Sequence, residues 1–274
     1  MTRRDYIILL SLIAFTAGHG CGAKDVVEEY KSRWITLRHT AVEEATVGTE
    51  ATVEAGIVTS TDIQDVGVYL YYGTESGIYQ VAEMKQLEGG QYFGLIPSHP
   101  RGTLIEYFIE ARAGDDLVVR VPREEQAAGF TFYFKGIPNK KLLLAHIILM
   151  FVSLFILLLA GYLAFMAIRN RKLVLHIPRL SFLGAAIFFV SSFPLGMIVA
   201  YQTYGKAWSG FPLGTDLTDN KSLGIVAYWA VATFLYRGSV FRKDPHRDLL
   251  SMRALPYVYL VGSLITLAVY LIPH

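Results

Sequence analysis

From Leu142 to Ile168 the chain is apolar without a break except at His146, and this run restricts its fold more than any other feature. As an α-helix it would be about 40 Å long, more than the ~30 Å hydrocarbon core of a bilayer, so a transmembrane helix is predicted over 142–168. Three further apolar segments follow at 180–204, 222–241 and 254–273. The second contains Ser191-Ser192-Phe193-Pro194, where the proline removes a helical donor and predicts a kink. The third reaches a full span only if Arg237 snorkels and the helix runs on toward Phe241. The C-terminal half is therefore expected to be an α-helical transmembrane bundle of about four helices.

Basic residues orient that bundle. Arg169, Arg171, Lys172 and Arg179 follow the first span, and Arg237, Arg242, Lys243, Arg247 and Arg253 follow the third. The intervening loop, 205–221, sets only Lys206 and Lys221 against Asp216 and Asp219. By the positive-inside rule both basic loops are cytoplasmic, which places the 205–221 loop, the C-terminus and everything before the first span outside. His176 and His246 lie in the basic loops, where contact with anionic headgroups is their expected role. Ala160 with Ala164, and Gly196 with Ala200, are spaced to let helices approach closely. Tyr201, Tyr204 and Trp208 form an outer aromatic belt.

Residues 1–23 read as an export signal: Arg3 and Arg4 precede the apolar run from Ile7 to Phe15, and Ala17, Gly18 and Gly20 follow it. The signal independently sends the next segment outside. Two refinements stay open. Thr2-Arg3-Arg4-Asp5-Tyr6-Ile7 looks like a twin-arginine signal, set against a plain basic start before a core suited to the general secretory route. Cys21, directly after Gly20, falls where a bacterial lipoprotein carries its lipid, although His19 and Gly18 depart from that pattern. As the single cysteine it excludes an internal disulfide and any cysteine-based zinc or iron–sulfur site. Core packing alone must hold the exported part together.

After a linker at 24–33 the pattern changes to short alternating runs broken by Gly, Pro, Asp and Ser. Strands are predicted at 34–37, 51–58, 66–72, 78–84, 92–96, 105–113, 117–121 and 130–134. Val66, Val68 and Leu70 alternate with Gly67, Tyr69 and Tyr71, the period-two signature of a half-buried strand. Short strands at this spacing, with no helical period between them, predict a β-sandwich over 34–135. Val68-Tyr69-Leu70-Tyr71-Tyr72, Val81 and Met84, Tyr92-Phe93-Gly94-Leu95-Ile96-Pro97 and Ile105-Glu106-Tyr107-Phe108-Ile109-Glu110-Ala111 resemble the fibronectin type III or immunoglobulin-like modules of bacterial envelope proteins. The resemblance covers about a hundred residues and implies an all-β immunoglobulin/fibronectin III-like sandwich. Such modules bind, space or present, so it implies no catalytic residue.

Candidates for chemistry are few. No nucleophile–base triad, phosphate-cradling glycine loop or metalloprotease motif is present. The net charge of +2 forms no basic stripe interleaved with aromatics, which excludes nucleic acid as a partner. Glu106 and Glu110 share a strand face about 13 Å apart, too far for a catalytic couple. His39 and His99 flank turn-like sequence and are expected at the surface. In the outer loop Trp208–Lys221, Asp216, Asp219 and Asn220 offer oxygens of the kind a metal ion such as calcium takes, without EF-hand spacing. The competing role there is local: Thr218, Asp219 or Asn220 capping a helix that starts near Ser222. His146 lies about one turn inside the outer end of the first span, and His274 at the outer end of the last. A facing pair could hold a b-type haem or, with an aspartate, a metal ion. The competing role for His146 is a hydrogen bond to carbonyls near the interface.

The leading expectation is a non-catalytic envelope protein of the bacterial cytoplasmic membrane, without a cofactor. Its outer β-sandwich would bind or position a membrane or periplasmic protein while the bundle sits in the lipid bilayer. The alternative is a membrane subunit of a redox or transport complex. It would carry an outer haem, quinone or ion site around His146 and the 208–221 loop.

Overall fold

A computed structural model of the chain describes residues 27–31, 35–59, 66–75, 77–113, 117–125 and 127–272. The expected signal at 1–23, with Cys21, and the terminal His274 lie outside the described residues. Two compact units form, a β unit within Ala23–Ile137 and a helical unit made of Pro138–Tyr201 and Lys206–His274.

The β unit has two sheets in a sandwich-like arrangement. One joins β1 (Val27–Lys31), β2 (Ile35–Thr40), β4 (Ala51–Thr59), β8 (Gln91–Ile96) and β7 (Lys85–Gln86) in that order. The other joins β3 (Glu44–Thr46), β11 (Phe130–Lys135), β9 (Leu104–Ala113), β5 (Val66–Glu75) and β6 (Ile78–Glu83), with β10 (Leu117–Val121) also paired to β9. All pairings are antiparallel except β11 with β3.

Alternation does in the fold what it promised in the sequence. On β4, Ala51, Val53, Ala55 and Ile57 turn inward while Thr52 and Glu54 face out. On β5, Val68, Leu70 and Tyr72 turn inward. They meet Leu37, Ile96, Ile105, Ile109, Phe132 and Phe134 in one core, where each large apolar side chain contributes roughly 1.5–3 kcal/mol. Three strands escape the hydrophobic pattern. The segment read as a linker at 24–33 contains β1, whose backbone pairs with β2 from Val27–Thr40 to Lys31–Thr36. β3 and β7 are short and polar. Backbone pairing at a sheet edge needs no apolar stripe, so such strands leave little trace in the sequence.

The helical unit opens with α1 (Lys140–Arg169), whose N-cap Asn139 Oδ1 accepts from the N–H groups of Lys141 at 3.0 Å and Leu142 at 3.3 Å. Next comes α2 (Ile177–Val190), with Pro178 in its first turn where a missing N–H costs nothing. A widened turn, Ser191–Leu195, contains Pro194 and leads into α3 (Gly196–Tyr204). The kink predicted there takes the form of this π-type turn. Then follow α4 (Leu217–Leu235) and α5 (Leu255–Leu271).

Two helical stretches, Lys140–Arg169 and Val174–Tyr204, are long and apolar enough to cross a membrane, with mean hydropathies of 3.0 and 2.1. The segment expected to be helical over 222–241 differs at both ends. Asp216 starts the helix more than a turn early by accepting from the Asp219 N–H at 3.0 Å. Tyr236 leaves helical geometry, and Gly238–Arg242 forms a separate wide turn fastened by Asp248, whose carboxylate accepts from the Ser239 N–H at 2.8 Å and from its hydroxyl.

Candidate functional site

With the inner face of β5 and β9 committed to the core, their outer face carries a cluster of aromatic and charged side chains. Register brings Tyr71 opposite Phe108 and Tyr69 opposite Glu110. The Tyr71 and Phe108 rings stack at 4.6 Å, and Tyr79 from β6 meets Phe108 edge-on at 5.0 Å. Arg120 from β10 lies over the other side of Phe108, 3.8 Å from the ring centre. Arg112 donates to Glu110 at 2.6 Å and to the Tyr71 hydroxyl, and its guanidinium sits over the Tyr69 and Tyr71 rings. Tyr79 donates to Glu106 at 2.6 Å. Glu106 and Glu110 thus face out on one side of the strand, as read from the sequence, each with a partner of its own. The face as a whole was not anticipated, although the alternation in Tyr69-Leu70-Tyr71 and Glu106-Tyr107-Phe108-Ile109-Glu110 holds its pattern.

His39 corrects an expectation. It is only 2% exposed, because β2 is an interior strand that turns its ring inward. Nδ1–H donates to the Glu54 carbonyl at 2.6 Å, which fixes the tautomer, since a carbonyl only accepts. Nε2 then accepts from the Tyr107 hydroxyl at 2.8 Å, whose oxygen accepts from the Val42 N–H at 2.8 Å. The neutral imidazole satisfies every partner. Burial pushes the His39 pKa below its usual value, with the Glu54 hydrogen bond opposing, and burial pushes the Tyr107 hydroxyl up. His99 is half-buried, its ring 5.6 Å from that of Phe134.

The Trp208–Lys221 loop is tightly folded on its own acidic end. One Asp219 oxygen, Oδ2, accepts from the Ser209 N–H at 2.6 Å, the Gly210 N–H at 3.1 Å and the Ser209 hydroxyl at 3.1 Å. Asn220 Oδ1 accepts from the Phe211 N–H at 2.7 Å, and Asp216 is the helix cap. The three candidate metal ligands therefore point their oxygens at backbone N–H groups. Among the described residues no group of three or more His, Cys, Asp or Glu could hold a metal ion. Capping is the role this geometry gives the segment, with Asp216 rather than Thr218, Asp219 or Asn220 as the cap.

His146 sits in the second turn of α1, half-buried, and its Nδ1–H donates to the Ser191 carbonyl at 2.8 Å in the widened turn. The imidazole lies where Gly196 leaves room, since a Cβ at Gly196 would stand 3.3 Å from His146 Cε1. One turn further along α1, Met150 Sδ accepts from the Ser192 hydroxyl at 3.3 Å and lies 3.2 Å from that of Ser191, which donates to the Phe188 carbonyl at 2.9 Å. In neutral His146 the lone pair falls on Nε2, which has no hydrogen-bond donor among the described residues.

No protein-family model matches the chain, and no curated protein matches it.

Proposed function

We propose that this chain is a multi-pass protein of the bacterial cytoplasmic membrane whose outer β unit binds or positions a protein partner, without catalysing a reaction. The observation that carries the reading is the outer face of β5, β6, β9 and β10. Tyr69, Tyr71, Tyr79, Arg112 and Arg120 are of two of the three residue types enriched at binding hot spots. They are held in place by mutual stacking and ion pairing, so little side-chain entropy is lost when a partner covers them. The strand order supports an immunoglobulin-like module: β2-β4-β8-β7 beside β5-β9-β11 follows the A-B-E-D and C-F-G arrangement in chain order.

For the membrane half, the support is the apolar surface of the helices together with the charge asymmetry of their loops. On this reading α1, the α2–α3 pair, α4 and α5 supply the four spans, with both basic loops inside. A photo-crosslinking side chain at Tyr69 should give a discrete adduct in intact cells, while the same group at Thr52, on the outer face of the other sheet, should not. Equal labelling from both sites, or from neither, defeats the proposed surface. With Cys21 replaced by serine, a cysteine at Thr215 should react with an impermeant thiol reagent from outside; reaction only after lysis overturns the orientation.

A second reading keeps one specific observation. A histidine whose Nδ1–H is held by a carbonyl presents Nε2 in a fixed direction, the way ligating imidazoles are oriented. A haem or metal bound at His146 would make the purified protein absorb in the visible. Its signal should disappear in His146→Ala, and a colourless, metal-free preparation would eliminate that reading.

A further inference from the structure

We propose that the groove between α2 and α4 seats one acyl chain of an anionic phospholipid in the cytoplasmic leaflet, with the lipid phosphate paired to Arg237. The inference rests on the membrane orientation proposed above. The groove has a volume of about 720 Å³ and an almost wholly apolar lining from Val190 and Val226 at one end to Phe182, Arg237 and Phe241 at the other. Its rims, Phe182, Phe189, Phe234 and Phe241, are exposed, while Trp229 is buried in its wall.

Length and charge select the occupant. From Val226 to Arg237 a helix rises about 17 Å, close to half of the ~30 Å hydrocarbon core, so the groove is one leaflet long. Arg237 stands at the end where the headgroups lie, its guanidinium 5.3 Å from the Phe234 ring centre and with no carboxylate partner among the described residues. Arg179 at the same end of α2 is occupied, donating to the carbonyls of Ser239 at 3.4 Å and Val240 at 3.2 Å. Among the described residues Arg237 is the one charged residue that lines the groove, which makes it the cation for a phosphate, and basic pockets between helices on the cytoplasmic side are suited to anionic headgroups.

Trp229 reports on the site. With Trp34→Phe and Trp208→Phe it becomes the chain's only tryptophan. In vesicles, phosphatidylglycerol with brominated acyl chains should quench it with roughly fivefold higher apparent affinity than brominated phosphatidylcholine. Arg237→Gln should abolish that preference, and Ala186→Phe, which fills the slot, should weaken quenching by both lipids. Equal quenching by the two headgroups, or a preference that survives Arg237→Gln, overturns the proposal. Native mass spectrometry of the unmodified chain supplies an independent check, with one anionic phospholipid expected per chain. A lipid-free chain, or a groove filled by another protein, also overturns it. If the chain fails to float with vesicles, the membrane reading itself falls; if it floats without headgroup preference, only the lipid site does.

Discussion

The two units of this protein differ less in what they bury than in what they leave outside. In the β unit the interior is made of Leu37, Leu70, Ile105, Tyr107, Phe132 and Phe134, and charged side chains are interspersed with apolar and aromatic ones outside. In the helical unit Leu157, Phe188, Trp229 and Tyr259 are inside together with Ser153, Ala160, Gly161, Ala164, Ser263 and Thr266, while Leu144, Ile148, Phe165 and Leu264 are outside. The first arrangement is stabilised by removing apolar surface from water. The second buries an apolar cluster too but keeps many large apolar side chains outside, and close backbone approach and interhelical hydrogen bonds add to its hold. Ser263 donates across from α5 to the Leu157 carbonyl of α1 at 2.7 Å, and Trp229 of α4 donates to Thr266 of α5 at 3.0 Å. Small residues and hydrogen bonds at such helix contacts are the pattern that the proposed membrane setting calls for.

The contrast is broken most directly by truncating the same residue type in each unit. Leu70→Ala should destabilise the β unit by about 2–5 kcal/mol, read as a lower urea midpoint of its strand signal in circular dichroism. Leu144→Ala should leave the helical signal in detergent within ~0.5 kcal/mol, since detergent replaces the lost contacts. A comparable loss in both would mean that Leu144 is packed against protein and that the outer surface of the helical unit is not free.

The reverse change sharpens the same point. Enlarging Gly161 is expected to cost about 1–3 kcal/mol, because a Cβ there runs into the Ser263 side chain and forces α1 from α5. Gly161→Leu should lower the thermal midpoint of the helical signal in detergent and leave the strand signal unchanged. Unaltered helical melting would show that α1 and α5 are not held by close approach.

How much of this was legible beforehand differs between the units for the same physical reason. Period-two alternation located β4, β5 and β9 because each has one face in a core. β1 lies in a segment that reads as a linker, because backbone pairing leaves no such stripe. Hydropathy located α1 and the α2–α3 pair, but it could not find the early start of α4 at Leu217 or its break at Tyr236. Those ends are set by Asp216 and by the Asp248–Ser239 contact, local hydrogen bonds that average hydropathy ignores. His39 was misplaced because the residues around it look like a turn, while its burial depends on pairing with β4 and on Tyr107, sixty-eight positions away. In the 208–221 loop the tight folding was readable from Gly210, Pro212 and Gly214, but the convergence of three donors on one Asp219 oxygen was not.

That loop provides a smaller test. Asp219→Ala removes the acceptor of two backbone N–H groups and one hydroxyl, and should destabilise the loop and the start of α4 by about 2 kcal/mol. Asp216→Ala removes a single cap and should cost about 1 kcal/mol. Amide exchange at Ser209, Gly210 and Asp219 would measure both. Equal protection in wild type and Asp219→Ala would return Asp219 to the role of a free ligand.

The smallest effect vanishes at neutral pH and emerges only on acidification, and only in the β unit. Buried His39 has a pKa below its ordinary value of 6.5, so between the two values the unfolded chain binds a proton that the folded chain does not. Its contribution to stability is therefore complete above about pH 6.5 and is lost as the pH falls toward the folded pKa. The geometry gives the reason: protonation puts a second N–H on Nε2, facing the Tyr107 hydroxyl that now donates to it, and the hydroxyl must turn its proton away while still accepting from Val42. The urea midpoint of the strand signal should hold steady from pH 8 to about 6.5 and then decline, while the helical signal stays level over the same range. Tyr107→Phe removes the donor to Nε2 and should lower the plateau. An acid-side decline that persists unchanged in His39→Gln would assign it to the carboxylates instead of this histidine.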